Sequence, residues 1–175
     1  MNLTTKALMA VLALSTAACT NPNRFGGGGG DGGTGVAAPT TPTAPPLTGA
    51  NDPNSPQYFS QTIGDRVLFV VDSATLTAAG QATLDGQANW LQSNSDYLAI
   101  VEGHADEQGT REYNLALGAR RANAVREYLT SKGVASNRLR TISYGKERPI
   151  EVCASEACYS KNRRAVTIIS VGGTS

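Results

Sequence analysis

The chain has 175 residues, 15 Lys+Arg against 14 Asp+Glu for a formal net charge of +1, and a hydrophobic fraction of 40%. The length fits a single domain with extras, and the apolar content is enough for an ordinary core. The even charge balance gives no reason to expect a nucleic-acid partner, because neutralising phosphates takes a clustered basic excess.

Glycine and proline divide the chain in two. Of 8 prolines all but Pro149 lie between residues 22 and 56, and nine of the 19 glycines lie between residues 26 and 49. Ahead of that stretch, Lys6 supplies a positive start and residues 7–14 (ALMAVLAL) an uncharged apolar run. The run is too short to span a bilayer, which takes about 20 helical residues, and has the length of an export signal. Small residues follow, then Cys19. This resembles a bacterial lipobox, with Thr16 where Leu is more usual. The resemblance implies removal of residues 1–18 and acylation of Cys19; ordinary signal cleavage with Cys19 a bystander is the alternative. Residue 20 is Thr rather than Asp, which in lipoproteins of this kind favours the outer membrane.

Residues 19–60 read as a disordered tether, because a Gly- and Pro-rich segment without apolar period cannot bury enough surface to offset its chain entropy. Glycine makes its first part a flexible coil and proline stiffens the second. About 40 such residues span on the order of 35 Å as a coil and roughly 130 Å fully extended.

The remainder, residues 61–172, alternates strand and helix signals. Residues 66–71 (RVLFVV) read as a buried strand. Residues 76–91 read as a helix with Leu84, Ala88 and Leu91 on one face and Thr77 as its N-cap. Residues 97–101 (YLAIV) are a second strand. Residues 110–132 carry the strongest helical period, with Leu115, Gly118, Ala122, Val125 and Leu129 at three- and four-residue steps, closed by Gly133. Residues 138–144 and 165–171 complete a four-stranded mixed sheet. The expected class is α+β, a two-layer sandwich with two main helices on one sheet face. Trp90, near Leu91, reads as core rather than as a sugar platform.

Cys153 and Cys158 stand five residues apart in polar sequence, and an exported chain sits in an oxidising compartment, so a small structural disulfide is expected. A zinc pair lacks ligands, since His104 is the only histidine.

Residues 101–122 read VEGHADEQGTREYNLALGARRA, and SYGKERP (143–149) and SKNRRAV (160–166) follow in order. These motifs resemble the OmpA-like domain family, in particular its peptidoglycan-associated lipoproteins, over the whole folded head. The resemblance implies no catalysis and no cofactor. It implies non-covalent binding of the diaminopimelate residue of peptidoglycan, with Asp106 facing the ligand ammonium and Arg121 its carboxylate. An arginine suits that carboxylate because its planar fork donates two parallel hydrogen bonds. Asp72, after the first strand in FVVD, matches another family contact, and Phe69 lies beside it. Asn114, Leu117 and Arg121 share one helix face by spacing, rotated by about 100° from the stripe that begins at Leu115. Thr110 opens the helix, where free backbone N–H groups favour an anion. By the same resemblance the partners are peptidoglycan and TolB within the Tol–Pal system, with the outer membrane reached through the lipid.

On spacing alone, Asp106 also fits a turn cap, and Arg121 a surface pair with Asp106 or Glu112 that contributes little. Arg163 and Arg164 read as structural, and His104 as a packed strand-end residue rather than a catalytic one. A wall-docking enzyme and a flagellar stator-like anchor are the competing functions. The first needs a catalytic cluster elsewhere in the chain, and the second a membrane helix that is retained.

Overall fold

A four-stranded sheet in the order β1-β4-β2-β3 forms the floor of the head. The computed structural model describes residues 49–171; the export signal, Cys19 and most of the expected tether lie outside the described residues. The strands are β1 (Arg66–Leu68), β2 (Tyr97–His104), β3 (Leu139–Gly145) and β4 (Arg164–Val171). β4 runs antiparallel to both β1 and β2, while β2 and β3 are parallel. The parallel pair needs a crossover, and the long helix α3 (Arg111–Ser131) supplies it.

The remaining helices are the single turn α1 (Pro56–Tyr58), α2 (Ala78–Ser93) and α4 (Glu156–Asn162). Thr77 caps α2 by accepting from the Gly80 N–H at 3.1 Å. Thr110 caps α3 by accepting from the Tyr113 N–H at 3.2 Å. Gly133, at φ +99°, ends α3 with the Val134 N–H returning to the Leu129 carbonyl, as an αL glycine permits. The α+β class, the mixed sheet and the two main helices are as the sequence reading expected.

Three expectations change. Strand β1 is three residues long, not six, and Val70 and Val71 are exposed. The Phe69 N–H still reaches the Arg163 carbonyl, but Asp72 turns the chain away at φ +51°. The carbonyls of Val70 and Ser73 then point at Arg121 instead of a neighbouring strand.

The expected α3 stripe does not hold at Leu115, which is exposed; Asn114, Leu117, Gly118, Arg121, Ala122, Val125 and Leu129 are the buried residues. The face holding Asn114, Leu117 and Arg121 is therefore not a surface beside the core but part of the buried side.

Finally, the expected tether is too long at its C-terminal end. Pro56–Tyr58 runs into a π-helical turn, Phe59–Gly64, and Phe59 is 1% exposed within the core. Ser55 caps this segment by accepting from the Tyr58 N–H. The Trp90 indole donates to the Pro53 carbonyl at 2.7 Å and its ring packs against Phe59 and Tyr97. An aromatic of this size is stabilised by burial, and an indole N–H takes a partner when buried.

Helix α3 lies unusually close to β2. A Cβ placed on Gly103 would fall 1.9 Å from the Gly118 carbonyl oxygen, and one on Gly118 would fall 2.8 Å from the Gly103 oxygen. Helix propensity alone favours alanine over glycine by about 1 kcal/mol. The contact with backbone reverses that preference. Gly118→Ala is expected to destabilise the head by about 2 kcal/mol or more through overpacking, read as a lower denaturant midpoint; a stabilised variant would show that the helix is free to lift.

Candidate functional site

The C-terminal end of β2 runs into a turn, residues 105–110, that is fixed from several sides. The Ala105 N–H donates to the Gly145 carbonyl at 2.8 Å. Lys146 Nζ donates to the Gly109 carbonyl at 2.7 Å, and Asn162 Nδ2 to Glu107 Oε1 at 2.6 Å. The SYG and NRRA segments singled out in the sequence thus position this turn. Gly145, at φ +53°, sits where a Cβ would be 2.8 Å from the Leu115 nitrogen, so the start of α3 closes onto the turn.

Between the turn, the first turns of α3 and the chain after β1 lies a hollow of about 260 Å³. Asp72, Asp106, Asn114 and Leu117 line it, together with Val71, Gln108, Gly109 and Tyr113. Of the site residues named from sequence, four are therefore brought to one hollow. Phe69, Thr110 and Arg121 are not among its lining residues: Phe69 is buried, Thr110 is exposed at the helix cap, and Arg121 is wholly buried.

Asp106 is 7% exposed. Its Oδ2 accepts from Arg163 Nη1 at 3.1 Å and its Oδ1 from the Gln108 N–H at 3.3 Å. Asn114 is fully buried; its Nδ2 donates to the Gln108 carbonyl at 2.7 Å, while its Oδ1 has no partner among the described residues. A buried acceptor left unpaired costs free energy. Asp72 is exposed and accepts a hydrogen bond from the Tyr113 hydroxyl, which pushes the Tyr113 phenol pKa up.

Arg121 is the largest wholly buried side chain. Its Nε donates to the Ser73 carbonyl at 2.8 Å, Nη1 to His104 at 2.8 Å and Nη2 to Val70 at 3.2 Å. The guanidinium carbon lies 5.2 Å from the Phe69 ring centre. Burial pulls the arginine pKa down to about 10, with Asp106 and Asp72 opposing, so the group is charged at neutral pH. Two of its five N–H donors are not used by these three bonds. The sequence reading paired Arg121 with Asp106 or Glu112; the close partner of Asp106 is instead Arg163, held also by Glu156.

Sequence reasoning missed Tyr113, Gln108 and Arg163 as site residues. Tyr113 stands beside Asn114 and was within reach of inspection. Arg163 is 57 residues from Asp106, and no local spacing announces such a pair.

His104 packs at the strand end, 2% exposed and stacked on Tyr144, with neither ring nitrogen hydrogen-bonded to a described residue. Burial first, then Arg164, Arg148 and Arg66, lower its pKa from 6.5 to about 4.

A protein-family model described as the OmpA family matches residues 68–163. The chain belongs to the OmpA family. Its relatives include the peptidoglycan-associated lipoprotein of Mesorhizobium japonicum, 60% identical over 126 residues that make up 72% of this chain and 75% of the relative. Among solved structures, the peptidoglycan-associated lipoprotein of Burkholderia pseudomallei has a TM-score of 0.62 at 39% identity, covering 69% of this chain and 98% of that one. The C-terminal domain of Helicobacter pylori MotB has a TM-score of 0.58 at 25% identity, covering 62% and 85%. This OmpA-family chain is not an enzyme, and no helix among its described residues is long and apolar enough to cross a membrane.

Two stability outcomes follow from the buried cations and the buried imidazole. Arg121→Ala strips three carbonyls of their donor, so it is expected to cost about 3 kcal/mol or more, seen in denaturant unfolding. His104 binds fewer protons folded than unfolded between pH 6.5 and about 4. Its contribution is therefore whole above pH 6.5 and is lost on acidification through that window, by up to about 3 kcal/mol. Unfolding midpoints measured from pH 7 to pH 4 are expected to fall, and to fall less steeply in His104→Gln.

Proposed function

We propose that this chain is an outer-membrane lipoprotein whose head grips peptidoglycan non-covalently at diaminopimelate, within the Tol–Pal envelope system. Cys19 carries the acyl chains, the Gly/Pro-rich segment spans from membrane to wall, and the head exchanges between the wall and TolB, as in the family it resembles. Acylation at one end and a wall-binding hollow at the other make the chain a tie between two envelope layers. A single acyl chain holds weakly and additional chains make the anchoring durable.

The observation that carries the reading is the convergence of acceptors on one hollow. Asp72, Asp106 and Asn114, whose buried Oδ1 has no partner among the described residues, line it, with the charged Arg121 buried nearby. The free end of diaminopimelate bears an ammonium and a carboxylate on one carbon. The ammonium takes the acceptors of Asp106 and Asn114, and gives the buried Asn114 oxygen the donor it lacks. The carboxylate is drawn to the buried charge of Arg121, two of whose N–H groups are not used by its three backbone bonds. Charge-assisted hydrogen bonds are roughly twice as strong as neutral ones. Leu117 supplies apolar contact for the methylene chain, and Phe69 backs the arginine.

The test is a pull-down of the lipidated chain, purified in detergent, with sacculi. Asp106→Asn keeps the shape and removes the charge. It is expected to weaken binding at least about tenfold; because Asp106 also pairs with the buried Arg163, the unfolding midpoint is expected to fall too, and binding is read where the variant is fully folded. Walls with lysine in place of diaminopimelate lack the second carboxylate and are expected to be retained poorly. Equal retention of both walls, or of Asp106→Asn and the unaltered chain, would overturn the reading. Arg121→Ala is a poor substitute for this test, because the same side chain holds the fold.

A further inference from the structure

We propose that Glu156 is a positioning residue for the wall-binding hollow: by sharing the charge of Arg163 it leaves Asp106 available to a cation, and the Cys153–Cys158 disulfide holds it in place. The inference rests on the wall-binding reading above and adds a tuning element to the same site.

Arg163 is 4% exposed and has two carboxylate partners. Its Nη1 lies 3.1 Å from Asp106 Oδ2 and 3.3 Å from Glu156 Oε2, and its Nη2 donates to Glu156 Oε1. Its Nε donates to the Phe69 carbonyl at 3.3 Å. The guanidinium is therefore oriented mainly by Glu156, with one bond left for Asp106.

Charge counting shows why this division matters. Asp72 and Asp106 line the hollow, and Arg121 and Arg163 are the buried cations beside it. With those four alone the site is neutral. Glu156 restores one negative charge, and does so from a side chain that is 67% exposed, outside the hollow and not competing for its space. Without Glu156, Arg163 is free to turn both terminal nitrogens to Asp106 in the bidentate geometry arginine favours. Asp106 would then be saturated by an internal cation and its pull on a ligand ammonium largely spent.

Glu156 opens α4, a helix of seven residues that cannot stand alone. The loop that carries it is closed by the disulfide between Cys153 and Cys158, with Cα atoms 5.8 Å apart. Glu156 lies inside this ring, so the bond restricts where its carboxylate can go. A loop of this size gains little stability from a disulfide in the chain-entropy account. Placing one side chain is a use that small stabilising effect does not explain.

The experiment measures binding by the lipidated chain in detergent of two soluble peptides. One ends in diaminopimelate; the other ends in 2-aminopimelate, which keeps the far carboxylate and lacks the far ammonium. Glu156→Gln is expected to weaken the first roughly fivefold, the scale of one partly exposed charge interaction, and to leave the weaker binding of the second unchanged. Glu151→Gln removes the same charge from an exposed pair with Lys161 and is expected to change neither. The double replacement Cys153→Ser and Cys158→Ser is expected to move binding in the same direction as Glu156→Gln. Undiminished binding of the diamine by Glu156→Gln, or an equal loss of both peptides, overturns the proposal; undiminished binding by the serine pair overturns the part given to the disulfide. An unaltered chain that binds neither peptide overturns the wall-binding reading itself, and this inference with it.

Discussion

The approach of α3 to β2 through Gly103 and Gly118 sets the height of everything above the sheet. Two backbones meet there with no side chain between them. Arg121 follows Gly118 by three residues, about one helical turn, and at this height its guanidinium reaches the carbonyl of His104, the last residue of β2. A helix raised by the width of a methyl group would take that carbonyl out of reach and cost the cation one of its three partners. The same approach brings Leu117 and Asn114, about one and two turns before Arg121, to the hollow. Close packing of backbone thus comes first, and the chemistry of the site is built on it.

A buried guanidinium is costly to desolvate, and opposite charge is not the only way to offset the cost. Here three backbone carbonyls from two segments do it, and one of them, that of Val70, lies where β1 would have continued as a strand. The short β1 and the buried Arg121 are therefore one arrangement seen from two sides. Asp72, at positive φ, marks the point where the chain leaves the sheet, and its carboxylate arrives at the hollow because of that departure. The second buried arginine, Arg163, does for the turn after β2 what Arg121 does for the segment after β1, but through carboxylates. Both segments that carry acidic side chains to the hollow are thus fixed by an arginine from elsewhere in the chain.

Much of this was legible in the residues. The helix ends followed from Thr77, Thr110 and Gly133, whose capping roles are local. The apolar run at residues 97–101 located β2, which continues three residues further to His104. The YNLALGARRA and NRRA segments named the face that turned out to line the hollow in part. What escaped were arrangements fixed by distant partners. RVLFVV has the composition of a six-residue strand, and nothing within it tells that Arg121, some fifty residues away, takes the Val70 carbonyl. Leu115 fits the apolar period of α3, yet only its backbone meets the sheet, at Ser143 and Gly145, and its side chain is exposed. The ordered segment around Phe59 was hidden by the glycine and proline before it, although Tyr58, Phe59 and the Ser-Pro pair at 55–56 are a compact helix start with an aromatic anchor. The Asp106–Arg163 contact links residues 57 apart, and only the sheet register brings them together.

The place where the N-terminal chain joins the head has a mechanical consequence. Pro53 is clasped by Trp90, whose ring rests on Tyr97 at the first residue of β2, while the hollow lies beyond His104 at the last. The two ends of that strand are roughly 23 Å apart at the usual rise per residue. A wall gripped at the hollow and a membrane tugging from the N-terminal side would load β2 lengthwise. Its ladders to β3 and β4 would then share the strain as parallel bonds in shear, rather than open one by one like a zip.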